Sequence, residues 1–251
     1  MVNITNNSKN IILNTISSFS LQIITIICGF VLTRLTIRYY GSSINGLINS
    51  ISQFIGYITL LEAGIGGVAR AASYKPLVEK NYNELNKVFS SFQSFYYKLV
   101  FFFIAYIIIL SFLFPYISNT LEQYWFTTSL VIIISLSTLS QYAFGVSYQM
   151  VLQADQKVRI INYFQACALI INFVISIVLI LLGCDIIIVK IFSSIIFILR
   201  PIFLRFYAQR IYKLKYDKNL IRGYKLPQRW NALGQHFAYY IRTNSSAVII
   251  T

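Results

Sequence analysis

The stretch that decides the fold is Lys98–Ile117, "KLVFFFIAYIIILSFLFPYI". Behind its leading lysine the run is almost wholly apolar, and about 20 such residues in a helix cross the roughly 30 Å hydrocarbon core of a bilayer. Five further runs of similar length surround it, at 10–33, 44–66, 125–148, 160–183 and 186–206. A seventh starts near residue 234, reads "GQHFAYYIRTNSSAVIIT", and reaches Thr251 with the span unfinished. The composition agrees: 57% of residues are hydrophobic, 11% are charged, and the mean hydropathy is +0.67. Soluble domains carry about 25% charged residues. The expected fold class is therefore all-α, a polytopic membrane helical bundle. The first run has only Lys9 before it as a charge and no small-residue cleavage step, so it reads as a retained helix and not a secretory signal.

The formal charge of +14 raises nucleic acid as a partner, and the placement of the basic residues argues against it. With the N-terminus in the cytoplasm, the inner side receives Lys9, then Arg70, Lys75, Lys80, Lys87 and Lys98, then Lys157 and Arg159, then the run from Arg200 to Arg229. The outer side receives Arg34, Arg38 and Lys190. That asymmetry is the positive-inside pattern, and basic inner loops also suit anionic lipids. The outer connections are short, near Ser118–Tyr124 and Gly183–Asp185, which leaves no room outside for a catalytic domain. Cys28, Cys167 and Cys184 lie in or beside apolar runs without metal-like spacing, and His236 has no partner histidine. No metal or cofactor is implied.

Polar residues recur on helical faces: Asn14, Ser18, Gln22, Thr25, Gly29 and Thr33 in the first run; Asn45, Asn49, Ser52, Gly56, Thr59 and Ala63 in the second. Thr138, Gln141, Gly145 and Tyr148 do so in the fourth, and Asn162, Gln165, Asn172 and Ser176 in the fifth. Such stripes glue transmembrane helices together in any bundle, or they line a shared wet interior. Arg34, Arg38, Glu62, Lys190, Arg200 and Arg242 fall within or near the apolar runs. A charge at the bilayer centre costs at least about 2.5–3.5 kcal/mol, so each either snorkels to its interface or faces a cavity.

Between the second and third runs stands "EAGIGGVARAASYKPLVEKNYNEL", Glu62–Leu85. Glu62, Gly64 and Gly66 allow a bend or a close helix approach at the inner end of the second span. From about 74 to 95 the apolar positions keep helical spacing with lysines and acids opposite, which predicts an amphipathic helix lying in the cytoplasmic interface.

The order "YYGSSINGL", "LLEAGIGGVARAASYKPLVEKNYNEL" and, later, "LRPIFLRFYAQRIYKLKY" (Leu199–Tyr216) resembles bacterial polysaccharide-export flippases. These are the Wzx-type branch of the multidrug/oligosaccharidyl-lipid/polysaccharide exporters. The resemblance implies two six-helix lobes, of which 1–206 corresponds to the first, 207–233 to a basic cytoplasmic inter-lobe loop and 234–251 to the start of a seventh helix. It implies a bacterial cytoplasmic-membrane transporter, not an enzyme, that moves undecaprenyl-pyrophosphate-linked oligosaccharide units outward, beside other polysaccharide assembly proteins.

On that basis the cavity candidates are Arg34, Arg38, Asn14, Gln22, Asn45, Asn49, Gln141, Gln165, Asn172 and Arg200. Glu62, Gly64, Gly66, Tyr74, Lys75 and Pro76 would form a cytoplasmic gate motif. The family's acid-containing step in the seventh helix is here Asn244, Ser245, Ser246. A drug or metabolite antiporter of the same superfamily, a membrane-bound sugar polymerase, and a split or truncated transporter remain alternatives.

Overall fold

The computed structural model describes residues 4–58, 65–118 and 123–221, and these are helical with no strand among them. The helices are α1 (Ile4–Tyr40), α2 (Ser42–Gly56), α3 (Ile65–Val78), α4 (Tyr82–Ile117), α5 (Tyr124–Ser140), α6 (Val146–Ala154), α7 (Val158–Leu181) and α8 (Ile186–Tyr212). A π-turn, Gln141–Gly145, joins α5 to α6, and a short 3₁₀ turn occupies Lys218–Ile221.

Five segments are long and apolar enough to cross a membrane: Asn10–Tyr40, Tyr82–Ile117, Tyr124–Ala154, Val158–Leu181 and Ile186–Tyr212. They match five of the expected spans. Their outward-facing positions are large and apolar, for example Phe19, Phe30, Phe101 and Phe112. Trp125 and Tyr116, both exposed, mark the α4–α5 end with aromatic side chains of the kind found at membrane surfaces. The chain is a multi-pass membrane protein.

Two further expectations fall differently on the described residues. Residues 44–66 do not form one described helix: α2 has 15 residues and ends at Gly56, and α3 has 14 and begins at Ile65. Each is shorter than the roughly 20 residues a span requires. Thr59, Glu62, Ala63 and Gly64 lie outside the described residues, as do His236, Arg242, Asn244, Ser245 and Ser246.

The interfacial helix expected over 74–95 is likewise divided. Three hydrogen bonds stop α3: Glu79 N–H donates to the Lys75 carbonyl, Lys80 N–H to Leu77 and Asn81 N–H to Pro76. Lys80 takes a left-handed conformation at φ 53°, giving the paired 6→1 and 5→2 bonds of a Schellman stop. Asn81 then caps the next helix by accepting from Glu84 N–H at 3.1 Å. From there α4 runs unbroken for 36 residues. Its first turns are not spread on a lipid surface: Leu85 and Phe89 are buried in one cluster with Tyr148, Leu152, Leu204, Tyr212 and Leu214. The amphipathic pattern was real, but protein covers its apolar face.

Helix neighbours run α1–α7–α8–α5–α2 and back to α1; α4 packs on α5 and α3, and α3 also on α6. The α1–α7 seam shows why the chain folds this way. On α1 the covered positions include Asn10, Asn14, Ser17, Leu21, Ile24, Cys28, Val31 and Leu35, a series of alternating four- and three-residue steps. That is the heptad spacing at which two helices stay in register along their length. Helix α1 ends at Gly41, whose φ 90°, ψ 161° lies in a region open essentially to glycine alone.

Candidate polar cleft between the spanning helices

The site begins with a fault in a helix. Gly145 packs so closely on α8 that a Cβ there would lie 2.9 Å from the Pro201 Cβ and 2.9 Å from the Gln141 Oε1. Next to this contact the helix widens into the π-turn, and Gln93, buried on α4, donates through Nε2 to the Ala143 carbonyl within it at 3.1 Å. Opposite, Pro201 has no N–H for the ladder of α8. Ser140 Oγ donates to the Ile198 carbonyl and Ser194 Oγ to the Ile133 carbonyl, pinning α5 to α8 ahead of the π-turn and of Pro201.

A π-turn holds one residue more than the α-helix it replaces, so it rotates everything after it. At 100° per residue, an uninterrupted helix would turn Gln149 and Gln153 about 80° and 120° away from Gln141. Absorbing one residue brings both back to within about 20°. The result is a row of amides, Gln141, Gln149 and Gln153, along one face. The same shift removes Tyr148, expected beside Gln141: it is buried, its ring 4.8 Å from Phe89 and its hydroxyl accepting from Gln209.

This face lines a cleft of 360 Å³ with Ser137, Thr138, Gln141, Tyr142, Gln149 and Arg200 on its walls. The half-buried Arg200 donates through Nη2 to Gln141 Oε1. A chamber of 220 Å³ adjoins it, sharing Val146 and Gln149 and adding Gly66, Arg70, Met150 and Gln153. Arg70 Nη1 donates to Gln153 Oε1 at 3.3 Å. Among the described residues, neither lining contains an acidic side chain. Two guanidinium groups are therefore oriented by neutral amide oxygens, which fix their geometry and leave their charge uncompensated by these partners.

Of the residues singled out from sequence, the structure brings Gln141 and Arg200 together and places Gly66 in the adjoining chamber. Thr138 also lines the cleft, and the other described candidates lie elsewhere. Asn14 bridges α1 to the start of α7: its Oδ1 accepts from Arg159 N–H at 2.9 Å and its Nδ2 donates to the Gln156 carbonyl at 2.7 Å. It caps α7 from a neighbouring helix. Asn162 extends this joint by donating to Ser17 and Ser18, and Arg159 Nη1 reaches Asn10 Oδ1 at 2.6 Å.

Asn172 is buried and accepts from Ser176 on its own helix. Gln165 is half-buried, with its Oε1 unpartnered among the described residues. Gln22, Arg34, Arg38 and Asn49 are exposed and Asn45 is half-buried. Arg34 edges a surface recess of 510 Å³ with Gly29, Phe30, Thr33 and Ile37. Among the described residues, the fourth-run stripe is the one that lines the cleft with Arg200.

On α3, Tyr74 and Lys75 are exposed and Pro76 is buried, and the backbone of Lys75 and Pro76 takes part in stopping the helix. Arg70, Gln149 and Gln153 escaped the sequence reading. Arg70 sits in a stretch whose charges suit a cytoplasmic loop, and the two glutamines align with Gln141 only through the π-turn. No cluster of three or more His, Cys, Asp or Glu residues able to hold a metal occurs among the described residues. No protein-family model, characterised protein or solved structure matches the chain.

Proposed function

We propose that the chain acts as one lobe of a membrane exporter that carries undecaprenyl-pyrophosphate-linked oligosaccharide from the inner to the outer leaflet. One observation carries this above all: a cleft between spanning helices holds Arg200, fixed by Gln141 and faced by Gln149, with no acid in its lining among the described residues. Burying a cation this way is costly unless something anionic or aqueous meets it. A pyrophosphate answers the arginine, and sugar hydroxyls answer Gln141, Gln149, Thr138 and Ser137. The polyprenyl tail stays in the bilayer, which alone is compatible with it, while the polar head needs a hydrated path.

The arrangement also weighs against the drug-antiporter alternative. Among the described residues, a cationic drug entering the cleft and the chamber beside it would meet two arginines and no carboxylate. The order of the glycine, "YKPL" and "LRP" segments supports a lobe of the polysaccharide-export type, in which rocking against a second lobe exposes the cleft to each leaflet in turn.

The binding step is testable without transport. In detergent, native mass spectrometry with an undecaprenyl-pyrophosphate disaccharide should show saturable binding, reduced about tenfold or more in Arg200→Ala and partly kept in Arg200→Lys. A factor of ten corresponds to about 1.4 kcal/mol, modest for one charged hydrogen-bonding contact. Equal binding by Arg200→Ala and wild type, or displacement by tetraphenylphosphonium, would contradict the proposal.

A further inference from the structure

The cleft repeats one device twice. Gln141 holds Arg200, and three turns further along the same face Gln153 holds Arg70. In each pair a neutral oxygen accepts one guanidinium hydrogen bond and leaves the charge and the remaining donors for something else; a carboxylate would have neutralised the arginine. The two chambers meet at Val146 and Gln149, so Gln149 faces both. Twelve residues, one of them absorbed by the π-turn, leave eleven rises of about 1.5 Å and set the pairs roughly 17 Å apart along the helix. The approach of α3 that brings Arg70 into place depends on Gly66, where a Cβ would stand 3.1 Å from Met150 Cε.

We propose that Arg70 and Gln153 form a second anion station, and that a phosphorylated headgroup occupies it and the Arg200–Gln141 station in succession, with Gln149 serving both. This rests on the transport reading of the Arg200 cleft and adds to it a site on α3. Arg70 is exposed where Arg200 is half-buried, so the Arg70 station is the more hydrated of the two and suits first capture. A guanidinium in water binds phosphate weakly; a partly desolvated one binds it more strongly. Occupancy therefore passes from Arg70 to Arg200 downhill in electrostatic energy.

The test uses the full chain in phosphatidylcholine nanodiscs with radiolabelled inorganic pyrophosphate as probe. Wild type should take up two equivalents, Arg70→Gln one, Arg200→Gln one and the double variant none. Arg70→Lys should restore the second equivalent, which a merely unfolded variant would not. The proposal is overturned if Arg70→Gln binds as wild type does, or if wild type binds one equivalent that Arg200→Gln alone abolishes. Should Arg70→Gln lose one equivalent while Arg200→Gln keeps both, the station stands and the Arg200 reading falls.

Two competitors then separate the sources of the headgroup. Displacement by undecaprenyl phosphate placed in the disc assigns the station to a lipid. Displacement only by glucose 1-phosphate assigns it to a soluble sugar phosphate. If neither displaces the label, the station takes no phosphorylated headgroup and the proposal fails.

Discussion

At the scale of single residues, the chain terminates helices with side chains that are not the cheapest for the task. Lys80 and Gln156 both adopt left-handed φ, 53° and 55°, at Schellman stops where Gly183 does the same at 73° without steric cost. Left-handed backbone costs a residue with a Cβ about 1–2 kcal/mol. Gln156→Gly is thus expected to stabilise the fold by up to about 1 kcal/mol, read as a raised midpoint in denaturant titration of the detergent-solubilised protein. Gly41→Ala should do the opposite, costing about 1–3 kcal/mol, because its φ 90°, ψ 161° pair admits almost no other residue. Asn14→Ala should cost about 1–3 kcal/mol by stranding the Arg159 N–H and the Gln156 carbonyl. The asparagine was legible in the sequence as an expensive polar residue in an apolar helix. Its partner was not, because the donor it satisfies lies 145 residues away.

At the scale of elements, the long apolar runs were readable because length and hydropathy act locally and need no tertiary context. The π-turn was not. Its signature is a missing match between two stretches of one helix, visible only when Gly145 is seen against Pro201 and Gln93 against the Ala143 carbonyl. Deleting Ala143 should collapse the turn to an ordinary α-helix while keeping Gln149 and Gln153 within about 20° of Gln141, because the deletion removes the residue that the turn absorbs. Retained binding of the lipid-linked disaccharide, with unchanged helix content by circular dichroism, is the expected outcome; loss of binding would show that the site needs the turn itself and not only the register it sets. The α3–α4 junction teaches a related lesson. Amphipathic spacing over 74–95 reports that one face is covered, but the covering surface is protein: Leu85 and Phe89 are almost fully buried. Cysteine introduced at Phe89 should resist a membrane-impermeant maleimide, whereas cysteine at the exposed Lys87 should react.

At the scale of the whole molecule, the polar stripes read from the sequence do not all serve one purpose among the described residues. Polar residues in a membrane helix are spent on at least three tasks here. Asn14, Asn162 and Ser17 fasten α1 to α7; Ser52, Ser73 and Ser135 satisfy themselves on carbonyls one turn back; and Gln141, Gln149 and Gln153 line the cleft. Spacing along one helix does not distinguish these tasks, since each puts the residue on a face. What distinguishes them is the partner across the gap, and among the described residues the α5–α6 face has arginines from two other helices opposite it. The central claim is that this cleft receives the anionic head of a lipid-linked sugar. The most direct measurement is photolabelling in vesicles with an undecaprenyl-pyrophosphate disaccharide bearing a diazirine on the sugar, mapped by peptide mass spectrometry. The account predicts label concentrated on peptides containing Ser137–Gln153 and Phe197–Arg200, and lost in Arg200→Ala. Label spread over lipid-facing positions such as Phe19 and Phe101, or undiminished in that variant, would contradict it.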